Sequence, residues 1–309
     1  MDQLKGKKFA IIGCGGYIAP RHLDAIKDTG NILIAALDPN DSVGLLDRYN
    51  RKAAFFTSPE RFDRYLDNLK REGQGIDYLS ICSPNHLHDA HIRMALRNGA
   101  NAICEKPLVL TAKNLDGLKQ VEAETGKKIN TILQLRLHPS IIELKKKVEQ
   151  GNSPKHNVQL HYVTSRGEWY DYSWKGREEY SGGIATNIGI HLFDMLMHVF
   201  GKVNSFDVTY VGSRKIGGSL DLEKAFVSWF LSIDERDLPV HSNGSTYRSI
   251  KIDGEEFEFS DGFTDLHKKA YEEILAGRGF GIEDARPSIE LVNDLRVLIN
   301  KSKNVKTDL

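Results

Sequence analysis

The chain has 309 residues, 40% of them hydrophobic and 27% charged, which is enough for two globular cores and far beyond a small disulfide-stapled scaffold. Its 42 basic residues are balanced by 42 acidic ones, so no global field gathers a polyanion and nucleic acid is excluded as the main partner. No stretch approaches the ~18 uninterrupted apolar residues of a membrane span, no signal-peptide pattern opens the chain, and Cys14, Cys82 and Cys104 show no CxxC spacing, so a reducing cytoplasmic location is expected, with the sequon at Asn243-Gly244-Ser245 idle.

Short apolar runs at 9–12, 32–37, 78–82, 102–104 and 129–133 are rich in Ile and Leu and lack polar alternation, as strands covered on both faces do. Helix-length segments separate them at 20–27, 58–71, 87–98 and 112–125. Ser58-Pro59-Glu60 supplies an N-cap, a proline and a first-turn acid, and Asn98-Gly99 and Thr125-Gly126 read as helix stops. This βαβα rhythm predicts a doubly wound parallel sheet over residues 1–135. Beyond Leu135 the period changes. A helix at 139–149 leads to a strand at 158–162 with apolar-polar alternation, and further strands are expected at 206–211, 225–233, 247–252 and 256–259. Helices are expected at 189–200, 265–276 and 287–301. Residues 136–309 therefore read as an α+β domain with an open-faced, mainly antiparallel sheet, whose exposed apolar face is expected to be buried against a second copy.

Gly13-Cys14-Gly15-Gly16-Tyr17-Ile18-Ala19 follows the first strand and opens a helix, the context in which a glycine turn cradles a pyrophosphate. Gly13 permits the turn, Gly15 or Gly16 admits the phosphate, and Ile18 stands where a third glycine is usual, leaving close packing to Gly16 and Ala19. Asp38 ends the second strand, where a carboxylate accepts hydrogen bonds from the adenosine ribose and repels a 2′-phosphate, favouring NAD over NADP. Ser83-Pro84-Asn85-His86-Leu87-His88 follows the strand ending at Cys82, and Glu105-Lys106-Pro107 follows the next; both turns are expected to line the dinucleotide cleft. His86, His88 and His91 read as solvated side chains rather than metal ligands, and no metal is expected. A lysine at position 106 suits a substrate hydroxyl, because its charge stabilises a developing alkoxide. In the segment Gly182–Asp194, helical spacing puts His191 one turn after Asn187, and an imidazole there suits removal of a proton from a secondary alcohol; the bland reading is a hydrogen-bonded core histidine. Arg166 and Lys175 bracket a loop holding Trp169, Tyr170, Tyr172 and Trp174, groups suited to a carboxylate, a diphosphate and a stacked sugar or base, or simply to packing over the sheet. Arg136 is a further anion-binding candidate.

The glycine turn, Cys104-Glu105-Lys106-Pro107 and Gly182–Asp194, in that order, resemble the Gfo/Idh/MocA oxidoreductase family over nearly the whole chain. The resemblance implies an N-terminal Rossmann domain, a C-terminal open-faced α/β domain, hydride transfer between a sugar-type alcohol and NAD(P), and catalytic roles for Lys106 and His191. Many members carry an aspartate where this chain has Asn187, which puts a simple proton relay through that position in doubt. Ala19-Pro20-Arg21-His22, Thr164–Tyr170, Ser173-Trp174-Lys175-Gly176, Thr246-Tyr247-Arg248-Ser249 and Phe263-Thr264-Asp265-Leu266-His267 carry a narrower resemblance to the UDP-N-acetylglucosaminuronate 3-dehydrogenases. That resemblance implies oxidation of the sugar C3 hydroxyl, NADH recycling by 2-oxoglutarate and a homotetramer. The alternatives open at this point are a dehydrogenase of a free sugar or inositol, and a catalytically silent NAD(H) sensor.

Overall fold

The computed structural model describes residues 6–151, 155–240, 244–258 and 265–305. Asn243 of the sequon, Phe259 of the last expected strand, and Phe263 and Thr264 of the final motif segment lie outside the described residues. The chain divides into two compact units, Met1–Gln134 with Thr264–Ala285, and Leu135–Phe263 with Arg286–Leu309.

In the first unit the chain runs β1 (Lys8–Ile12), α1 (Ala19–Asp28), β2 (Ile32–Leu37), β3 (Ala54–Phe56), α2 (Pro59–Arg71), β4 (Tyr78–Ile81), α3 (His88–Arg97), β5 (Asn101–Cys104), α4 (Ala112–Thr125) and β6 (Ile129–Thr131). The strands form one sheet in the order β3-β2-β1-β4-β5-β6, and every neighbouring pair is parallel. Phe9, Ala10, Ile11, Leu79, Ile81 and Ile103 are fully buried, as a sheet covered on both faces requires. Ser58 caps α2 by accepting the Arg61 N–H at 3.4 Å, and Gly126 closes α4 at φ 65°. The half-buried β3 is too short and too weakly patterned to be read from sequence. Strand order reverses between β1 and β4, so the loops leaving those two strands diverge and open the crevice where this architecture binds ligands.

The second unit contains α5 (Pro139–Gln150), β7 (His156–Thr164), α6 (Trp169–Tyr172), α7 (Glu178–Ser181), α8 (Ile190–Phe200), β8 (Val203–Val211), β9 (Lys215–Leu222), β10 (Ala225–Ser232), β11 (Thr246–Ile252) and β12 (Glu255–Glu256). Its sheet runs β12-β11-β7-β10-β9-β8, antiparallel throughout except for the β7–β10 pair. Val158, Leu160 and Tyr162 alternate inward with Val227, Trp229 and Leu231, and Phe193 of α8 packs on Trp229 with ring centres 5.2 Å apart. The unexpected strand β9 contains Gly217-Gly218, a pair that reads as a turn; a Cβ on Gly218 would lie 2.6 Å from the Trp229 ring, so the glycine makes room for the indole. The outward face mixes polar residues such as Asn157, Gln159, Ser219 and Ser228 with the rings of Phe206 and Phe226, the latter covered by the Lys155 ammonium at 4.4 Å.

The chain then adds α9 (Leu266–Leu275) to the first unit, where it packs on α1, and α10 (Ile282–Val305) follows. Pro287, read as the start of the last helix, stands in its second turn, where a missing N–H forgoes one intrahelical bond. The stretch Glu178–Phe200 is long and apolar enough by composition to cross a membrane, yet 67% of its most apolar window is buried inside the protein, as in a core helix.

Candidate active site

In the first unit, Gly13 adopts φ 79°, and a Cβ there would lie 2.7 Å from the Cys82 carbonyl, so the β1–α1 turn accepts only glycine. Gly15 is equally confined, since its Cβ would collide with the Ser42 hydroxyl. Backbone bonds from Gly16 N to Gly13 O (3.0 Å) and from Ala19 N to Gly16 O (3.1 Å) wind the loop directly into α1, which begins without a side-chain cap. Ala19 is fully buried and does the close packing for which Ile18, half-buried, is too large, while Tyr17 is exposed. Asp38 is buried at the end of β2. Its Oδ2 accepts from Gly15 N at 2.8 Å and its Oδ1 from Asn40 N at 2.9 Å, so the carboxylate is tied to the glycine loop itself. A Cβ-free cradle at a helix start, with a fixed carboxylate beside it, fits the pyrophosphate and ribose of NAD. Burial, then the neighbouring Asp38, pushes the Cys14 thiol up to about 12, so this cysteine is an inert packing group.

The β4 turn is built on histidines. Pro84 starts it, and Asn85 begins a 3-10 turn leading to α3. His88 is buried with one ring nitrogen 2.7 Å from the Pro107 carbonyl and the other 2.9 Å from the Ser83 carbonyl, and the Ser83 hydroxyl meets His91 Nδ1 at 2.8 Å. Both nitrogens of His88 are thus committed to protein carbonyls. This corrects its reading as a cofactor contact: it braces the backbone at Ser83 and Pro107. It also corrects the reading of His88 and His91 as solvated, because burial pushes His88 down and His91 down to about 4.

Glu105 departs from expectation in the same way. Its side chain turns inward, with Oε1 accepting from His22 Nε2 at 2.9 Å and His267 Nε2 at 3.0 Å and Oε2 accepting the Lys106 N–H at 3.2 Å. Burial alone would raise its pKa, but the hydrogen bonds and charge of the two histidines hold it well below the usual carboxylate range. Lys106 follows, half-buried, at a cis peptide bond to Pro107.

In the second unit, Arg136 meets a carboxylate of the protein. Its guanidinium binds Asp194 of α8 in two-pronged fashion, at 2.9 and 2.7 Å, with the two side chains 11% and 2% exposed. That pair answers the Arg136 expectation: the arginine anchors the helix that carries His191. Gly182 and Gly183, at φ 80° and 77°, end α7, and Ala185–Gly189 forms a π-helical turn leading into α8. The wider turn changes the regular α spacing assumed between Asn187 and His191. Asn187 Nδ2 donates to the Tyr170 hydroxyl at 2.9 Å, and His191, half-buried, faces the edge of Tyr162 with ring centres 5.9 Å apart.

The aromatic loop divides by burial. Tyr170 is buried, with its hydroxyl pKa raised by desolvation, whereas Trp169 and Tyr172 are 52% and 83% exposed. Lys175 Nζ lies 5.5 and 5.7 Å from the ring centres of Trp169 and Trp174, a cation held between two indoles. Arg166 is half-buried, and its carbonyl accepts from Arg214 Nη2 at 2.6 Å, while Arg214 also pairs with Asp171. Arg214, Asp194, His22 and His267 shape these sites without standing out in the sequence. His22 and His267 lay in two of the motif segments, but nothing in their spacing tied them to Glu105.

Residues 7–132 match the profile of the Gfo/Idh/MocA oxidoreductase family, NAD-binding Rossmann fold, and residues 145–232 match the family's C-terminal alpha/beta domain. The WlbA (WbpB) dehydrogenase of Thermus thermophilus, solved with NAD and alpha-ketoglutarate, is 52% identical, with 94% of this chain and 95% of that one covered at a TM-score of 0.91. The same enzyme solved with NAD and UDP-GlcNAcA gives 51% identity, 94% coverage of each chain and a TM-score of 0.90. Among curated proteins, the D-glucoside 3-dehydrogenase of Escherichia coli is 27% identical over 158 residues, and the scyllo-inositol 2-dehydrogenase (NADP(+)) IolW of Bacillus subtilis 24% over 147. The matches span only 42% and 41% of those two proteins. With glycine cradle, Glu-Lys-Pro turn and histidine helix all in place, the chain belongs to the Gfo/Idh/MocA oxidoreductase family, with its NAD-binding Rossmann fold and C-terminal α/β domain.

Proposed function

We propose that the protein oxidises the C3 hydroxyl of UDP-N-acetylglucosaminuronate to the 3-keto sugar with NAD, in the synthesis of 2,3-diamino uronic acid sugars for bacterial surface polysaccharide such as lipopolysaccharide O-antigen. The observation that carries this reading is the likeness, above 50% identity over 94% of the chain, to a dehydrogenase solved with NAD and with UDP-GlcNAcA. Bound NAD supplies the hydride acceptor. Gly13, Gly15, Gly16, Tyr17 and Ile18 would hold its pyrophosphate and Asp38 its adenosine ribose, with Ser83, Pro84 and Asn85 lining the crevice at β4. Lys106 orients the reacting hydroxyl and stabilises the alkoxide as its proton leaves. His191 takes that proton while the C3 hydrogen departs with its electron pair, so carbon loses two electrons and one proton passes to imidazole. Asn187 donates to the sugar ring region, and Arg166 and Lys175 meet the carboxylate and diphosphate. The alpha-ketoglutarate complex of the relative supports 2-oxoglutarate as the oxidant that returns NADH to NAD, itself reduced to 2-hydroxyglutarate. A cytoplasmic homo-oligomer, four chains by resemblance, completes the reading; light scattering on the purified protein tests its number.

The deciding experiment incubates the protein with UDP-N-acetylglucosaminuronate, NAD and 2-oxoglutarate and follows the products by mass spectrometry. Loss of two hydrogens from the acetamido uronate with formation of 2-hydroxyglutarate is expected. Turnover of free inositol or a free glucoside in its place would overturn the nucleotide-sugar assignment.

A further inference from the structure

The cluster behind Lys106 has a direction. Ser80 of β4, Tyr271 and His267 of α9, His22 of α1 and Glu105 at the end of β5 are all buried. Ser80 Oγ lies 2.7 Å from Tyr271 Oη, which lies 2.8 Å from His22 Nδ1. An ionised Glu105 can only accept, so both imidazoles must present Nε2–H to its Oε1. His22 Nδ1 is then an acceptor, Tyr271 donates to it, and Ser80 donates to Tyr271. The hydrogen bonds therefore run one way, from β4 through two helices onto one carboxylate oxygen. They leave Oε2 turned toward the Lys106 N–H, while His88 holds the Pro107 carbonyl on the far side of the lysine.

We propose that His22 and His267 are positioning residues for Lys106, acting through the Glu105 carboxylate they hold; this rests on the assignment of Lys106 to the reacting hydroxyl. Without both donors the carboxylate has no reason to stay buried, and the backbone at Lys106 loses the acceptor that fixes it. The same three groups offer ligand atoms within 4.8 Å of one another, the reach of a metal site. However, the 2.9 and 3.0 Å contacts are hydrogen-bond lengths, shorter than the roughly 3.3 Å edge of a tetrahedron of zinc ligands. The Glu105 carboxylate and the two imidazole Nε2–H groups satisfy one another here without an ion.

The test compares His267→Leu and His22→Leu with His267→Gln and His22→Gln, since glutamine keeps an N–H donor of similar reach. Measured well below the melting temperature of each variant, the leucine forms are expected to lose about ten- to a hundredfold in kcat, with KM for NAD changed less than about twofold and most of the loss recovered by glutamine. Should the leucine forms not fold, the isosteric Glu105→Gln, which places an amide NH₂ against the Lys106 N–H, carries the same expectation. Wild-type kcat in the leucine forms, or in Glu105→Gln, beside an inactive Lys106→Ala would overturn the proposal and leave the functional reading intact. Wild-type turnover in Lys106→Ala would remove the functional reading itself. One zinc per chain by elemental analysis, lost in His22→Gln, would also overturn the hydrogen-bond assignment.

Discussion

Each unit buries a carboxylate behind a residue proposed to act on the substrate, and the two are held in different ways. Asp194, one turn beyond His191 on α8, meets the permanent charge of Arg136 through two parallel hydrogen bonds. Glu105, next to Lys106, is held by two histidines, groups that can be neutral. The first arrangement is a fixed ion pair whose halves cannot be separated cheaply. The second is a directional network whose strength depends on tautomer and protonation. The contrast teaches that a buried carboxylate can be fixed either by a permanent charge or by a directed network of hydrogen bonds, both serving to keep a helix or strand end in place.

The comparison breaks most severely at the residues the braces stand behind. His191→Ala is expected to lower turnover by about 10²–10⁴, the usual worth of a positioned general base, with binding of the nucleotide sugar retained in equilibrium dialysis. Intact turnover would remove His191 from the chemistry. Next in size, Arg136→Met strands Asp194 in the interior and is expected to cost about 3–5 kcal/mol of stability in denaturant titrations. The double change Arg136→Met with Asp194→Leu should recover most of that loss, because it removes the unpaired charge as well as the bond.

The outlines of both units are legible in the sequence because apolar periodicity and caps decide them. The five apolar runs of the first unit and the stops at Gly99 and Gly126 fall where the elements begin and end. The glycine turn and Asp38 are legible for the same local reason: a positive φ and a strand-end acid show up within a few residues of one another. What escapes is whatever depends on a distant partner. Glu105 and Arg136 look like charges waiting for a ligand, and only the fold reveals that His22, His267 and Asp194 already hold them. The α9 helix is visible as a period, but its return to α1 is not.

Acid sharpens the contrast between the units. In the first, burial lowers the pKa of His22, His88 and His91, the last to about 4, so folding disfavours their protonated forms. The unfolded chain binds protons at its histidines near 6.5, so stability is lost as pH falls from 6.5 toward 4, by as much as about 3 kcal/mol for His91 alone. Glu105 adds to the same trend at lower pH, since a carboxylate depressed by folding gives up its contribution as it protonates. In the second unit, burial lowers His198 of α8 to about 4 as well, though this ring is half-buried. Hydrogen exchange at pH 7 and pH 5 should therefore show peptides around β4 and α3, which carry the two buried histidines His88 and His91, losing more protection than those of α8, which carries the half-buried His198. His91→Gln should flatten the slope in the first unit, and equal loss in both units would dissolve the contrast.

The smallest expected effect isolates a single neutral bond. Tyr170→Phe removes the hydroxyl that accepts from Asn187 Nδ2 and leaves the buried ring in place. A neutral hydrogen bond between side chains contributes about 0.5–1.5 kcal/mol net, so a rate loss of roughly two- to tenfold is expected. If Asn187 is steered by this bond, the loss falls on kcat, because a misdirected amide still admits the sugar but no longer favours the reactive pose. If the tyrosine only fills space, kcat is unchanged and thermal stability alone declines. A loss as large as that of the Glu105 brace would instead mean that the π-helical turn at Ala185–Gly189 relies on Tyr170 to hold its shape. One neutral bond would then be governing the start of the helix that carries His191.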